Sequence, residues 1–474
     1  MMGPRMRLYA LSGAVLPALA LCGAQCETRV VNAVDLGQTT DSGANPGVAP
    51  DGDLGAAPDG GVRPDGPGPR TEVVWPNKNS SANSDPWLSA NHDAITEMRP
   101  NVLVLDFYNR ESPQLAQAKA QQLIDALAES SRYHRYADAN APPFLVYNLS
   151  RFVDLTDHSP SPNWPYVSST RVPINPTSGQ FDTSALFSAS FAANYAYPDP
   201  ANPNGYLTLC ELFERGIINE MWLEVGDSAP GRAPGLMFES KQVYNSQNRA
   251  VPGMFSSCTG YVCLPPSMPH CSVTARIAHL DPTIAGPGCD LVVRSIGFEN
   301  MRLAIPYLQD NASDFFNDDF EARFATNFDS WNQLVAMGGY SGWCTRRGPA
   351  CISYPNQTMA QGTYPDGGTW EIDPFVQGCG NAHFPPNAQF EWDYGNPTPV
   401  QSRCENYAMR NGPDSGDRTD VYTSAKDTAS APSSGDDCAG GWQIYLRQSM
   451  PGLGNSARSA DRSPMKNWWP FLFY

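Results

Sequence analysis

The densest chemistry in the chain lies between residues 378 and 396, which read GCGNAHFPPNAQFEWDYGN and set Cys379, His383, Glu391 and Asp393 among asparagines, prolines and aromatics. His383 and Glu391 are candidates for a general acid or base. Glu391 and Asp393 are two residues apart, so on an extended segment both point to one side. Together with His383 they could hold zinc or calcium through nitrogen and oxygen ligands. No H-E-x-x-H helix and no short two-His spacing is present, and Pro385-Pro386 excludes a helix directly after His383. The plainer alternative is that His383 and Asn381 hydrogen-bond loop backbone around Cys379. The spacing names neither a metal nor a cofactor, and both stay unknown at this point.

A second set of chemical groups is picked out by the elements that precede them. Val102 to Leu105 is a short, wholly apolar run ending in Asp106, followed by Ser112, Pro113 and a face of Ala116, Ala120, Leu123, Ile124 and Leu127 at helical spacing. That pattern predicts strand, cap and helix. Phe144 to Tyr147 reads as a second buried strand, Tyr206 to Arg215 as a helix stopped by Gly216, and Glu220 to Val225 as a third strand. Leu291 to Ile296 reads as a fourth, followed by a helix from Met301 to Leu308 in which Pro306 forces an early position or a kink. Strands alternating with helices predict an α/β fold, a mostly parallel sheet with flanking helices. Ligands in such sheets bind beyond the carboxyl ends of the strands. Asp106, Glu224, Asp227 and Glu299 fall at or just past those ends and could converge on one mouth. Each could equally cap a helix, pair with an arginine or face water.

Past Phe320 the chain is rich in Gly, Pro, Cys and aromatics with few periodic runs, which predicts an irregular, disulfide-rich C-terminal region packed on the sheet. Residues 415–437 are polar enough to predict a mobile surface loop, and the aromatic end Asn467-Trp468-Trp469 predicts a tail tucked into the core.

The rest of the chain speaks to compartment. Arg5 and Arg7 precede an apolar run from Leu8 to Leu21 that is too short to favour a membrane span, the pattern of an export signal cleaved near Ala20 or Ala24. Leu19-Ala20-Leu21-Cys22 also resembles a lipoprotein box, so a lipid anchor on Cys22 is the alternative to soluble export. Of the 12 cysteines, ten lie beyond Cys22 and Cys26, and no C-x-x-C occurs. Exported thiols oxidise, so disulfides are expected, with Cys258/Cys263 and Cys344/Cys351 close enough to close small loops. Repeats of Ala-Pro-Asp-Gly before residue 71 can bury no core and read as an extended linker. The expected organisation is an export signal over residues 1–26, a linker over 27–71, an α/β domain over 72–320 and a loop-rich, Cys-containing part of the same domain over 321–474. A net charge of -17 argues against unassisted binding to nucleic acid or anionic lipid. There is no G-x-S-x-G elbow, P-loop or dinucleotide fingerprint, and a Cys nucleophile does not suit an oxidised chain.

Several of these residues also stand in a shared order. Gly216-Ile-Ile-Asn-Glu-Met-Trp-Leu223, Phe238-Glu-Ser240, Ile296-Gly-Phe-Glu299, Cys379-Gly-Asn-Ala-His-Phe-Pro-Pro-Asn387, Trp392-Asp-Tyr-Gly-Asn396 and Asn467-Trp-Trp469 resemble, in that order, a group of exported bacterial proteins with no assigned activity. The resemblance spans most of residues 100–474 and draws attention to Glu220, Glu239, Asn381 and His383. The group carries a further Glu and a downstream His after its Gly-Phe pair. Here that stretch reads Glu299-Asn-Met-Arg302 and, later, Asn311-Ala-Ser-Asp314, without the His.

The expectation that follows is an exported hydrolase of an extracellular polymer, carbohydrate or cell wall, drawing acid, base or ligand from Glu224, Glu239, Glu299, His383 and Glu391. The alternative is a non-catalytic envelope protein that binds glycan or a protein partner from its stalk. Turnover separates the two.

Overall fold

Two apolar residues, Trp75 and Met98, are sealed from solvent where the short parallel strands β1 (Val74–Trp75) and β2 (Glu97–Met98) meet, and helix α1 (Pro86–Asn91) lies between them in the chain. The computed structural model describes residues 73–80, 86–109, 113–157, 169–225, 237–244, 250–259, 262–264, 271–280, 352–363, 368–372, 385–390, 393, 395–402, 404–405, 420–430, 440–455 and 467–472. Every described residue lies in the compact unit Pro69–Tyr474.

The expected first strand and helix form as β3 (Asn101–Asp106) and α2 (Pro113–Ser130), with Ala116, Ala120, Leu123, Ile124 and Leu127 buried. The second strand is shifted from its expected place: β4 runs from Asn148 to Asp154, and Phe144 to Tyr147 makes only a bridge between Leu145 and Met98. The reason is local. Ser131 Oγ accepts from the Phe144 and Leu145 amides at 3.1 and 2.9 Å, tying that apolar stretch to the end of α2. β4 is an edge strand whose residues are exposed or half-buried, so it lacks the continuous apolar run of a central strand.

After β4 come α3 (Ala189–Tyr195), a hairpin of β5 (Pro198–Asp199) and β6 (Asn202–Tyr206), helix α4 (Leu209–Glu214) and β7 (Glu220–Glu224). The helix begins at Leu209 because Thr208 and Glu211 form a reciprocal capping box, and Gly216, at φ 63°, ends it as expected. The chain then turns antiparallel through β8 (Met237–Tyr244), β9 (Ala250–Thr259) and β10 (Val262–Leu264) before β11 (Ala275–Leu280). The result is a 7-stranded sheet in the order β10-β9-β8-β11-β7-β3-β4. β11, β7, β3 and β4 are mutually parallel, while the β8–β10 side is antiparallel. The sheet is thus mixed, with a four-stranded parallel half. The expected strand at Leu291 to Ile296 and the helix after it lie outside the described residues.

Right-handed crossovers dictate how the helices are placed. From β3 the chain passes through α2 to β4 on one side; from β4 it passes through α4 to β7 on the other side of β3. The two connections therefore cover opposite faces. Leu103, Leu105, Met221, Leu223 and Ile277 pack with α3 and α4 in one apolar cluster, which contains none of the buried residues of α2. Cys210 of α4 is bonded to Cys271 just ahead of β11, and Glu214 accepts from the Ser272 amide and hydroxyl, both at 2.8 Å. Helix α4 is thereby clamped to the start of β11.

The C-terminal part holds a three-stranded meander of β12 (Ile352–Asn356), β13 (Met359–Thr363) and β14 (Thr369–Ile372), the pair β15 (Val400–Ser402) and β16 (Asp420–Tyr422), and helices α5 (Ala425–Ser430) and α6 (Gly440–Gln448). Residues 420–430 are strand and helix with Tyr422 and Asp427 buried, not the surface loop that their composition predicts. Cys404 is buried and disulfide-bonded, and Trp468 and Trp469 are buried as expected. Among the described residues no helix is long and apolar enough to cross a membrane.

Candidate functional site

Register brings three carboxylates into one row. Asp106 closes β3 and is the partner of Asp154 on β4 and of Glu224 on β7. Register partners on neighbouring strands share a face and stand about 4.8 Å apart. The row lies on the face opposite the α3–α4 cluster, because Leu105, Leu223 and Val153, one position earlier, point into or against that cluster. It also lies at the topological switch point, where the chain leaves β3 toward β4 on one side and leaves β7 toward β8 on the other, the place such sheets use for ligands. Asp106 is fully buried, Glu224 nearly so and Asp154 half-buried.

Two of these carboxylates also turn the chain. Asp106 Oδ1 accepts from the Tyr108 amide at 2.9 Å, and Asp154 Oδ1 accepts from the Thr156 amide at 3.0 Å and its hydroxyl at 2.6 Å. Such two-residue bonds form Asx turns, which carry the backbone away from the sheet. The departing backbone is stitched across the strand ends: the Phe107 amide donates to Glu224 O at 2.9 Å, Leu155 to Asp106 O at 2.8 Å and Ser169 to Phe107 O at 2.7 Å.

Asp157 ties the rim together. Its carboxylate accepts from Asn109 Nδ2 at 3.2 Å, Ser169 Oγ at 3.1 Å, and the Thr170 amide and hydroxyl at 3.0 and 2.7 Å, while its own amide donates to Asn109 Oδ1 at 2.9 Å. Burial pushes this carboxyl upward, but the combined donors from Thr170, Asn109 and Ser169 outweigh it and hold the group below its ordinary value. The loops that follow β3 and β4 are thus locked to each other over the row.

Of the residues the sequence singles out, Asp106 and Glu224 meet in this row. Glu239 does not join them. It lies on β8 opposite Arg276, which pairs with Glu220 four residues before Glu224 on β7. On ordinary strand geometry that places Glu239 about 13 Å along the strands and about 10 Å across from Glu224. Asp227, Glu299, Asn381, His383 and Glu391 lie outside the described residues.

The described part of the 378–396 segment is a hydrogen-bonded knot. Asn387 Nδ2 donates to the Asn396 and Thr398 carbonyls at 2.6 and 2.8 Å, and Asn396 Nδ2 donates to Asn387 O at 2.9 Å and Asp393 Oδ2 at 2.8 Å. Asp393 also accepts from the Gln389 amide at 2.9 Å, and Tyr354 OH donates to Ala388 O at 2.8 Å. Asn387, Asp393 and Asn396 therefore shape the loop. No group of three or more His, Cys, Asp or Glu among the described residues is placed to hold a metal ion.

Glu220, noted through the resemblance, is sealed in the core. It accepts from Tyr147 OH at 2.7 Å, Trp222 Nε1 at 3.0 Å and Arg276 Nη1 at 3.2 Å. Burial, and next the Glu220 charge, push the Tyr147 hydroxyl well above its ordinary range, with Arg276 working against them. Tyr147 therefore remains a donor.

Asp154 and Asp157 were not among the candidates read from the sequence. Their signal was present: Phe152-Val-Asp-Leu-Thr156 repeats the apolar-run, Asp, turn pattern of Leu103 to Asn109. Only the pairing of the two strands shows that both aspartates reach the same level. Comparison with protein-family models, curated proteins and solved structures finds no match for this chain.

Proposed function

We propose that the protein is an exported hydrolase of an extracellular polymer, carbohydrate or cell wall, whose acid and base are Asp106 and Glu224. The observation that carries this reading is their pairing, side by side and buried, at the switch point of an α/β sheet. Two neighbouring carboxylates are the pair that acid and base work on a glycosidic bond requires. Carboxylates on adjacent strands start from Cα atoms about 4.8 Å apart. Side chains rising from neighbouring positions on one face favour the closely spaced carboxyl groups of retaining glycosidases over the wider pair of inverting ones. The Cys210–Cys271 bond fits an oxidising destination.

The test is release of reducing ends from a panel of polysaccharides and peptidoglycan by the oxidised full-length protein. Asp106→Asn and Glu224→Gln should each lower kcat by at least about a hundredfold, with an unchanged far-UV circular dichroism spectrum. The product should keep its anomeric configuration. Turnover untouched by both substitutions overturns the assignment of the pair. Glycan binding with no turnover by the unaltered protein supports the non-catalytic envelope reading instead.

A further inference from the structure

We infer that α5 and α6 form a pH-sensitive latch on the end of α2, closed while Asp427 is buried beneath Tyr422 and released when that carboxyl loses its proton. The inference is independent of the proposed hydrolase.

The latch is built from few parts. Helix α6 packs on α2, Gln448 Nε2 donates to Glu129 O at 2.9 Å, and the His134 amide donates to Gln448 O at 2.9 Å. Tyr136, Tyr422, Trp442 and Tyr445 pack ring against ring, with centroids 5.1 to 5.9 Å apart. At the centre of the joint, both Asp427 oxygens lie 3.0 Å from Tyr422 OH. Helix α6 crosses directly over this residue: a Cβ on Gly441 would stand 3.1 Å from the Asp427 carbonyl oxygen and 3.3 Å from its Cβ. Asp427 is therefore covered by α6 as well as by Tyr422, and it is buried. A charge placed there is solvated only if α5 and α6 part.

Among the described residues, the titratable and charged groups on the surrounding elements offer no counterion dedicated to it. On β16 stand Asp420 and Tyr422. On α5, Lys426 is engaged by Glu405, which also accepts from Tyr445 OH at 2.8 Å. On α6 are Tyr445 and Arg447, and after α2 come Tyr133, His134, Arg135 and Tyr136, with Arg135 held by Glu129 at 2.9 Å. Burial raises the Asp427 carboxyl to about 8, only partly offset by the Tyr422 hydrogen bond. The closed latch thus binds this proton more tightly than the open chain. Its stabilising effect is full below the ordinary value of 3.8 and is lost as pH rises toward 8. His134 titrates in the opposite sense. Burial, with Lys426 adding and Asp420 opposing, lowers it from 6.5 to about 4, so its contribution is present above 6.5 and lost as pH falls toward 4.

From pH 6 to pH 8 the Asp427 values give a rise of about fifty-fold in the opening equilibrium. His134 returns about fourfold of that. The net rise is about tenfold. Amide exchange of the full-length protein, corrected for intrinsic rates and read on peptides from residues 420–450, should show that rise, while peptides from β3 and β7 should not. In Asp427→Asn the sign should reverse, leaving the fall of about fourfold that His134 alone produces. A wild-type profile that is flat or falling overturns the latch, and so does an Asp427→Asn profile with the wild-type rise. Should that variant fail to fold, the wild-type profile decides by itself.

Discussion

Removing Glu220 tests whether the parallel half of the sheet depends on a buried charge. Its carboxylate has no exposure and accepts from Arg276, Tyr147 and Trp222, and Arg276 is itself 1% exposed. Glu220→Leu removes one partner of a buried ion pair, which costs about 3–5 kcal/mol. Two further donors lose their acceptor at about 1–3 kcal/mol each. These losses overlap, so the expected total is about 5 kcal/mol, against the 5–15 kcal/mol that holds a typical domain. Arg276→Met alone should cost less, because the remaining carboxylate keeps the Tyr147 and Trp222 donors. The double variant Glu220→Leu/Arg276→Met should be less destabilised than Glu220→Leu alone, since it removes both partners of the buried pair. Urea unfolding followed by circular dichroism, with the disulfides intact, gives all corners of this cycle. If the double variant costs the sum of the two single ones, the residues are not coupled and the network reasoning fails.

Removing the covalent clamp is simpler to predict. Cys210 and Cys271 are 61 residues apart in sequence, and opening a loop of that length costs about 4 kcal/mol in the chain-entropy model. Cys210→Ala/Cys271→Ala should lower the unfolding free energy accordingly, and a loss under about 1 kcal/mol would show that the bond does little to constrain the unfolded chain. Gly441→Ala should cost about 1–3 kcal/mol, because the added methyl stands 3.1 Å from the Asp427 carbonyl oxygen and must push that backbone aside. The loss should appear first as faster exchange in α5 and α6, and an unchanged rate there would contradict the close crossing.

Parts of this architecture were legible where local and global signals agree. Val102 to Leu105 is buried on both sides and therefore reads as an unbroken apolar run, and Pro113 suits the start of α2. β7 was readable for the same reason. β4 hides because an edge strand needs only half of its residues dry, so Asn148, Ser150 and Arg151 look like loop. β9 contains Pro252 and Gly253, which read as turn signals, and the antiparallel half of the sheet was missed with it. β11 carries Arg276, ordinarily a surface residue, and its burial makes sense only once Glu220 is placed beside it. The row of Asp106, Asp154 and Glu224 was half visible: two members could be read as strand ends, but their levelling depends on register, which no single segment encodes. The Asn387–Asp393–Asn396 knot shows the converse, a polar cluster that looks chemical in sequence and in space serves its own loop.

The Cys210–Cys271 bond also governs what proteolysis can do to this molecule. The ring it closes contains β7, β8, β9 and β10, and β11 begins four residues beyond it. A protease that cuts once anywhere from residue 211 to 270 makes two polypeptides that stay covalently joined. Such a nicked form would migrate at full mass until reduced, and β11 would still be tethered beside β7. Under oxidising conditions, where the bond persists, the carboxylate row would outlast the integrity of the chain that carries it.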